Sequence, residues 1–184
     1  VERAQYHGLS THMDGARLMN AAVAQNLPPA RLVQSIDTVS VCLSKGLGAP
    51  LGSVLVGSQV IVERARRLRK MLGGGMRQTG IIAAAGRYAL QHNLDRLAQD
   101  HRRTQELASA LEGIKGLHFD RSRVQTNMLF LQSVQMPALA DHLALQGIAL
   151  TVTGHNTRVV LHMDIDDEAL KQIIASIQGF FNAH

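Results

Sequence analysis

Two β-branched runs, DTVSVCLS (residues 37–44) and GSVLVG (52–57), stand either side of a turn too rich in glycine and proline to continue as strand or helix. Helix-periodic sequence flanks the pair, ARLMNAAVAQ (16–25) upstream and the amphipathic VIVERARRLRKML (60–72) downstream. A shorter strand ends in THM just before Asp14 and Gly15. Strands that alternate with helices bury both faces of a sheet, which is the arrangement of an α/β domain with a mainly parallel sheet.

A break, GGGMRQTG (73–80), interrupts that alternation. Alanine and leucine then recur at helical spacing from about Ile81 to Leu111, which predicts one long connecting helix ending at Gly113. The pattern changes beyond it. After LHFD, TNMLFLQS reads as a strand, MPALADHLALQG as a helix, IALTVTG and RVVLHMDI as strands, and DEALKQIIASIQGFF as a closing helix. The expected organisation is a part of a large α/β domain over residues 1–112 and a small α+β domain over 113–184. No internal repeat or low-complexity linker is present.

Composition narrows the function classes. With 46% hydrophobic residues the chain has the make-up of a globular protein, and no run approaches the roughly 20 apolar residues of a membrane helix. VERAQYHG lacks a charged-then-apolar signal layout, so a cytoplasmic location is expected. The chain does not begin with methionine and opens on the run-up to an internal strand, which reads as the later portion of a longer chain. A single cysteine, Cys42, is expected in the core, and neither it nor the nine histidines fall at metal-ligand spacing, so no metal is expected. The net charge of +5 gathers largely in ERARRLRK (63–70). Aromatic residues make up only 3%, leaving little to stack on bases, so no nucleic-acid partner is expected from that basic stretch.

Two residues at strand ends carry the chemical reading. Lys45 opens the turn after DTVSVCLS, where open α/β sheets place their ligand crevices; the plainer alternative is an exposed turn lysine. Asp14 follows the preceding strand and is either an N-cap for the next helix or an acid facing the same crevice. A neutral lysine amine attacks carbonyls, and pyridoxal phosphate chemistry needs such an amine together with an acid that keeps the pyridine nitrogen protonated.

The linked motifs HMDGAR (12–17), CLSKGLGAPLGSVLVG (42–57) and RKMLGGGMRQTG (69–80) resemble those of the low-specificity L-threonine aldolases, pyridoxal 5'-phosphate enzymes of the aspartate aminotransferase fold in the β-eliminating lyase group. The resemblance extends through the TNMLF and RVVLHMDI strands. It implies that Lys45 bonds the cofactor aldehyde, that Asp14 pairs with the pyridine nitrogen, and that Arg17 lies by the cofactor's phenolic oxygen and the substrate. It further implies that Arg158 grips the substrate carboxylate, and that Lys70 and Arg77 flank a loop near the site, Arg77 reaching the phosphate of a neighbouring subunit's cofactor. The plainer alternatives are that Lys70 completes the basic face of its helix and that Arg158 is a solvated edge-strand residue. The implied activity is cleavage of β-hydroxy amino acids such as L-threonine and L-allo-threonine to glycine and an aldehyde, in a homotetramer of paired dimers that share sites. A noncatalytic remnant and another pyridoxal phosphate lyase are the competing readings. His12, His155 and His162 are assigned no catalytic role, and the segment that holds the family's stacking histidine and phosphate loop lies upstream of these residues.

Overall fold

A computed structural model describes residues 1–183 of the chain, in two units that divide between Leu97 and Ala98. The first unit runs α1 (Glu2–Tyr6), β1 (His12–Gly15), α2 (Leu18–Gln25), α3 (Pro29–Val33), β2 (Thr38–Cys42), β3 (Ser53–Gly57), α4 (Gln59–Met71) and α5 (Gly80–His92). Its sheet has the order β1-β2-β3, with β1 and β2 parallel and β2 and β3 antiparallel, so the sheet is mixed.

The alternation along β2 decides which face is covered. Val39 and Val41 are buried with Leu18 of α2, and Met13, Leu32, Val33 and Ile36 pack around them. Thr38, Ser40 and Cys42 therefore point to the opposite, polar face. Cys42 is thus not the core residue expected from sequence. Two short helices were not legible in the sequence. In α3, Pro29 at the first position supplies a preset φ, and α2 closes just before it with Asn26 in the left-handed conformation at φ 52°.

The long helix expected from Ile81 to Leu111 is two helices. It breaks after α5 because the Asn93 side chain turns inward and donates to the Leu47 carbonyl at 2.7 Å, and a turn closed by Leu97 N–H on the Leu94 carbonyl follows. Asparagine and aspartate compete in this way with helical bonding, whereas the alanine and leucine spacing on either side still reads as continuous.

The remaining elements are α6 (Leu97–Leu111), a 3-10 turn (Arg121–Arg123), β4 (Met128–Gln132), α7 (Met136–Ala144), β5 (Val152–Thr153), β6 (Asn156–Val160) and α8 (Asp167–Ala183). The second sheet is antiparallel with the order β4-β6-β5. Its inward face meets α6, α7 and α8 in a core that includes Leu107, Leu111, Leu129, Leu131, Leu139, Leu170 and Phe180. Although α6 was counted with the first domain in the sequence reading, its Leu107, Ala108 and Leu111 pack in this second core. The IALTVTG strand shrinks to Val152–Thr153, since Gly154 turns the chain at φ +60° and the Thr151 carbonyl is taken by the Thr157 hydroxyl at 2.6 Å.

Candidate active site

Parallel pairing of β1 with β2 sets Asp14 opposite Ser40 and Gly15 opposite Val41, so Asp14 lies near the C-terminal end of its strand. Lys45 lies just past the C-terminal end of β2, in the loop that returns to β3. The acid and the amine therefore stand at the same end of two adjacent parallel strands, where ligand crevices form in such sheets. Both side chains are exposed.

Asp14 does not cap α2; that position belongs to Arg17. Its Oδ1 instead accepts the Ala16 N–H at 3.1 Å, and this is its only hydrogen bond among the described residues. The other carboxylate oxygen takes no side-chain or backbone donor among the described residues. Gly15 allows the close approach of strands behind it: a Cβ there would lie 2.9 Å from the Ser40 carbonyl oxygen and 2.9 Å from Val39 Cγ1.

The Lys45 loop is held by backbone bonds. Leu43 N–H donates to the Gly52 carbonyl, Ala49 N–H to that of Leu43, and Gly48 N–H to that of Lys45 at 2.8 Å, with Gly48 at φ +73°. Leu43, Leu47 and Ala49 bury their side chains with Ala89 and Leu97, which anchors the loop and leaves Lys45 outside. Around its base, Cys42 Sγ lies 3.7 Å from each of the Ser44 and Ser53 hydroxyls. Partial burial pushes the Cys42 thiol up, but those hydroxyls and the Lys45 charge outweigh it and hold the thiol below its ordinary range.

Lys70 lies at the end of α4, and Arg77 lies in the connection from α4 to α5. α4 buries none of its side chains, and Lys70 sits in its last turn. The Lys70 side chain crosses Gly75, where an added Cβ would come 3.2 Å from Nζ and closer still to Cδ, so the glycine is required for that path. Arg77 is exposed and precedes Gln78, a non-glycine residue at φ 50°.

Arg158 belongs to the second unit. β6 is the central strand of its sheet, so Arg158 is not an edge residue, and it pairs across the register with Phe130 on the exposed face. The Arg123 guanidinium lies 5.7 Å from the centre of the same ring. Sequence reasoning passed over that ring and over Thr38 and Ser40 beside Asp14, and it assigned the neighbouring His12 no catalytic role. Their signal was period two: His12 and Asp14 share a face of β1. Among the described residues no group of three or more His, Cys, Asp and Glu is arranged to hold a metal, and no helix is long and apolar enough to cross a membrane.

Residues 1–134 match the family model described as beta-eliminating lyase. The chain is 42% identical to low-specificity L-threonine aldolase 1 of Arabidopsis thaliana over 184 residues, which is 96% of this chain and 51% of that protein. It is 40% identical to the low specificity L-threonine aldolase of Escherichia coli O157:H7, covering 97% of this chain and 53% of that one. The chain thus spans about half the length of the curated relatives it matches. In fold it is similar to a putative L-allo-threonine aldolase from Listeria monocytogenes, with a TM-score of 0.81 at 18% identity over 98% of this chain and 53% of that one. It is also similar to Leishmania major threonine aldolase, with a TM-score of 0.78 at 17% identity over 98% of this chain and 54% of that one.

Proposed function

This chain belongs to the beta-eliminating lyase family, and on that premise we propose that it is the lysine-bearing part of a pyridoxal phosphate-dependent aldolase that cleaves β-hydroxy amino acids to glycine and an aldehyde. The observation that carries the proposal is the placement of Asp14 and Lys45 at the C-terminal ends of adjacent parallel strands.

The residues present fit the cofactor's chemistry. One oxygen of the Asp14 carboxylate accepts no protein donor among the described residues, which suits a pyridinium N–H, and Lys45 presents its amine clear of the core. Lys45 would hold the cofactor at its aldehyde carbon and Asp14 at its ring nitrogen, with Arg17 beside the ring oxygen. When bound, pyridoxal phosphate supplies an electron sink for the charge left on the α-carbon as the Cα–Cβ bond breaks. Asp14 would keep the proton on that ring nitrogen, because a carboxylate stabilises a neighbouring cation that an amide would not.

Arg158 takes the substrate carboxylate. Its guanidinium has the planar fork that matches two oxygens, and it projects from a central strand on the exposed face. Lys70 from the last turn of α4 and Arg77 from the loop after it supply positive charge, with Arg77 directed to the phosphate in a neighbouring subunit. A cytoplasmic homotetramer of paired dimers belongs to the same proposal, on the resemblance of the motifs. In the protein as expressed, L-threonine and L-allo-threonine should yield glycine and acetaldehyde, and Lys45→Ala should remove that activity. Undiminished glycine formation by Lys45→Ala would refute the assignment.

A further inference from the structure

Lys45 is exposed, yet the turn it opens is tied down at each of its first three carbonyls. The Lys45 carbonyl accepts the Gly48 N–H at 2.8 Å, that of Gly46 accepts from Arg96 Nη1 at 3.4 Å, and that of Leu47 accepts from Asn93 Nδ2 at 2.7 Å. A carbonyl oxygen only accepts, so the direction of all three bonds is fixed. Asn93 and Leu47 are both buried, which shields the shortest of them from water.

Gly46 brings the turn against the same segment. An added Cβ there would lie 2.9 Å from Leu97 Cδ2 and 3.2 Å from Asn20 Oδ1, so the turn rests directly on a fully buried leucine. Asn93, Arg96 and Leu97 all belong to the break between α5 and α6. That break therefore delivers two donors and an apolar stop to the two residues that follow Lys45.

The stretch GLGAPLG (46–52) holds three glycines, and glycine has the most backbone freedom to lose on ordering. Lys45 must give up that freedom when its amine bonds the cofactor aldehyde with release of one water. A turn fixed before the cofactor arrives meets less of that cost at the moment of binding. We infer that Asn93 and Arg96 are positioning residues for Lys45: they hold its turn so that the lysine stem sets out in one direction, toward the end of the sheet that also carries Asp14. The inference rests on the reading of Lys45 as the cofactor's amine given above.

Binding measurements with two ligands test the inference. Asn93→Leu keeps a side chain of similar size without a donor, and should weaken pyridoxal phosphate roughly three- to tenfold, the scale of one hydrogen bond. Arg96→Met, which removes the longer bond, should weaken it about twofold, and Arg96→Lys, which keeps a donor, should lie nearer the parent. Pyridoxine 5'-phosphate has an alcohol in place of the aldehyde and forms no bond to Lys45, so its affinity should not change in any of these variants. In a Lys45→Ala background, adding Asn93→Leu should have no further effect on pyridoxal phosphate. Should Asn93→Leu fail to fold, Arg96→Met and Gly46→Ala carry the same comparison and should show the same split between the ligands. Equal weakening of both ligands, a further loss in the Lys45→Ala background, or no weakening at all overturns the inference while Lys45 is still labelled. A parent protein that takes no borohydride-trapped label at Lys45 removes the reading of Lys45 and the inference with it.

Discussion

Replacing Gly15 with alanine tests how tightly β1 must lie on β2 for Asp14 and Lys45 to share one end of the sheet. The added Cβ would meet the Ser40 carbonyl oxygen and Val39 Cγ1 at 2.9 Å each and Leu18 Cβ at 3.3 Å. Carbon pairs are most stable near 3.5–4.0 Å, so the valine contact alone is about 0.6 Å or more too close. None of these neighbours yields easily. The oxygen belongs to the backbone of the paired strand, valine is stiff at its first torsion, and Leu18 and Val39 form one buried cluster. The strand must therefore shift, at a cost of about 1–3 kcal/mol. With a urea dependence of about 1–3 kcal/mol per molar, the unfolding midpoint followed by circular dichroism should fall by on the order of 1 M. Gly80→Ala is the matched control. Nothing lies within 4 Å of a Cβ there, and the residue begins α5, so its midpoint should hold or rise slightly. An unchanged midpoint for Gly15→Ala would mean that the strands are not packed as described.

Asn93→Ala removes the bond to the Leu47 carbonyl and leaves a buried acceptor in the Lys45 loop without its partner; a loss of about 1–3 kcal/mol in urea titrations is expected, and a neutral result would contradict the account of the helix break. Asp167 at the start of α8 accepts from Arg103 Nε at 2.7 Å and from Arg102 at 2.8 Å, and these bonds hold its carboxyl below the usual range. A depressed folded value contributes stability above the unfolded carboxylate range and loses it as pH falls through the folded value. Asp167→Asn should accordingly lower the melting temperature modestly at pH 7, less so in high salt, and the gap should close as the pH falls through the lowered folded value into strong acid. A gap that persists in strong acid would refute this.

The strands around the site were legible in place because their β-branched runs and strand-end turns are local properties, although the first runs on through Asp14 and Gly15 instead of ending at Met13, and the second stops at Cys42. Asp14 and Lys45 were legible for the same reason. Each sits at a strand end, and parallel pairing, which the alternation with helices implies, brings such ends together. The helix break at Asn93 was not legible, because it depends on a carbonyl 46 residues away. Cys42 was misread as core because a small apolar residue in a strand gives no sign of which face it takes until the register with Ser53 is known. Phe130 beside Arg158, and His12 beside Ser40, are cross-strand relations that no single strand records.

The central claim is that Lys45 is the amine that bonds the cofactor. The direct measurement is titration of the protein with pyridoxal phosphate, borohydride reduction, and peptide mapping of the modified lysine. The account predicts saturable labelling confined to Lys45 and lost in Lys45→Ala. Absence of label, or label spread over Lys45, Lys70, Lys115 and Lys171, would contradict it.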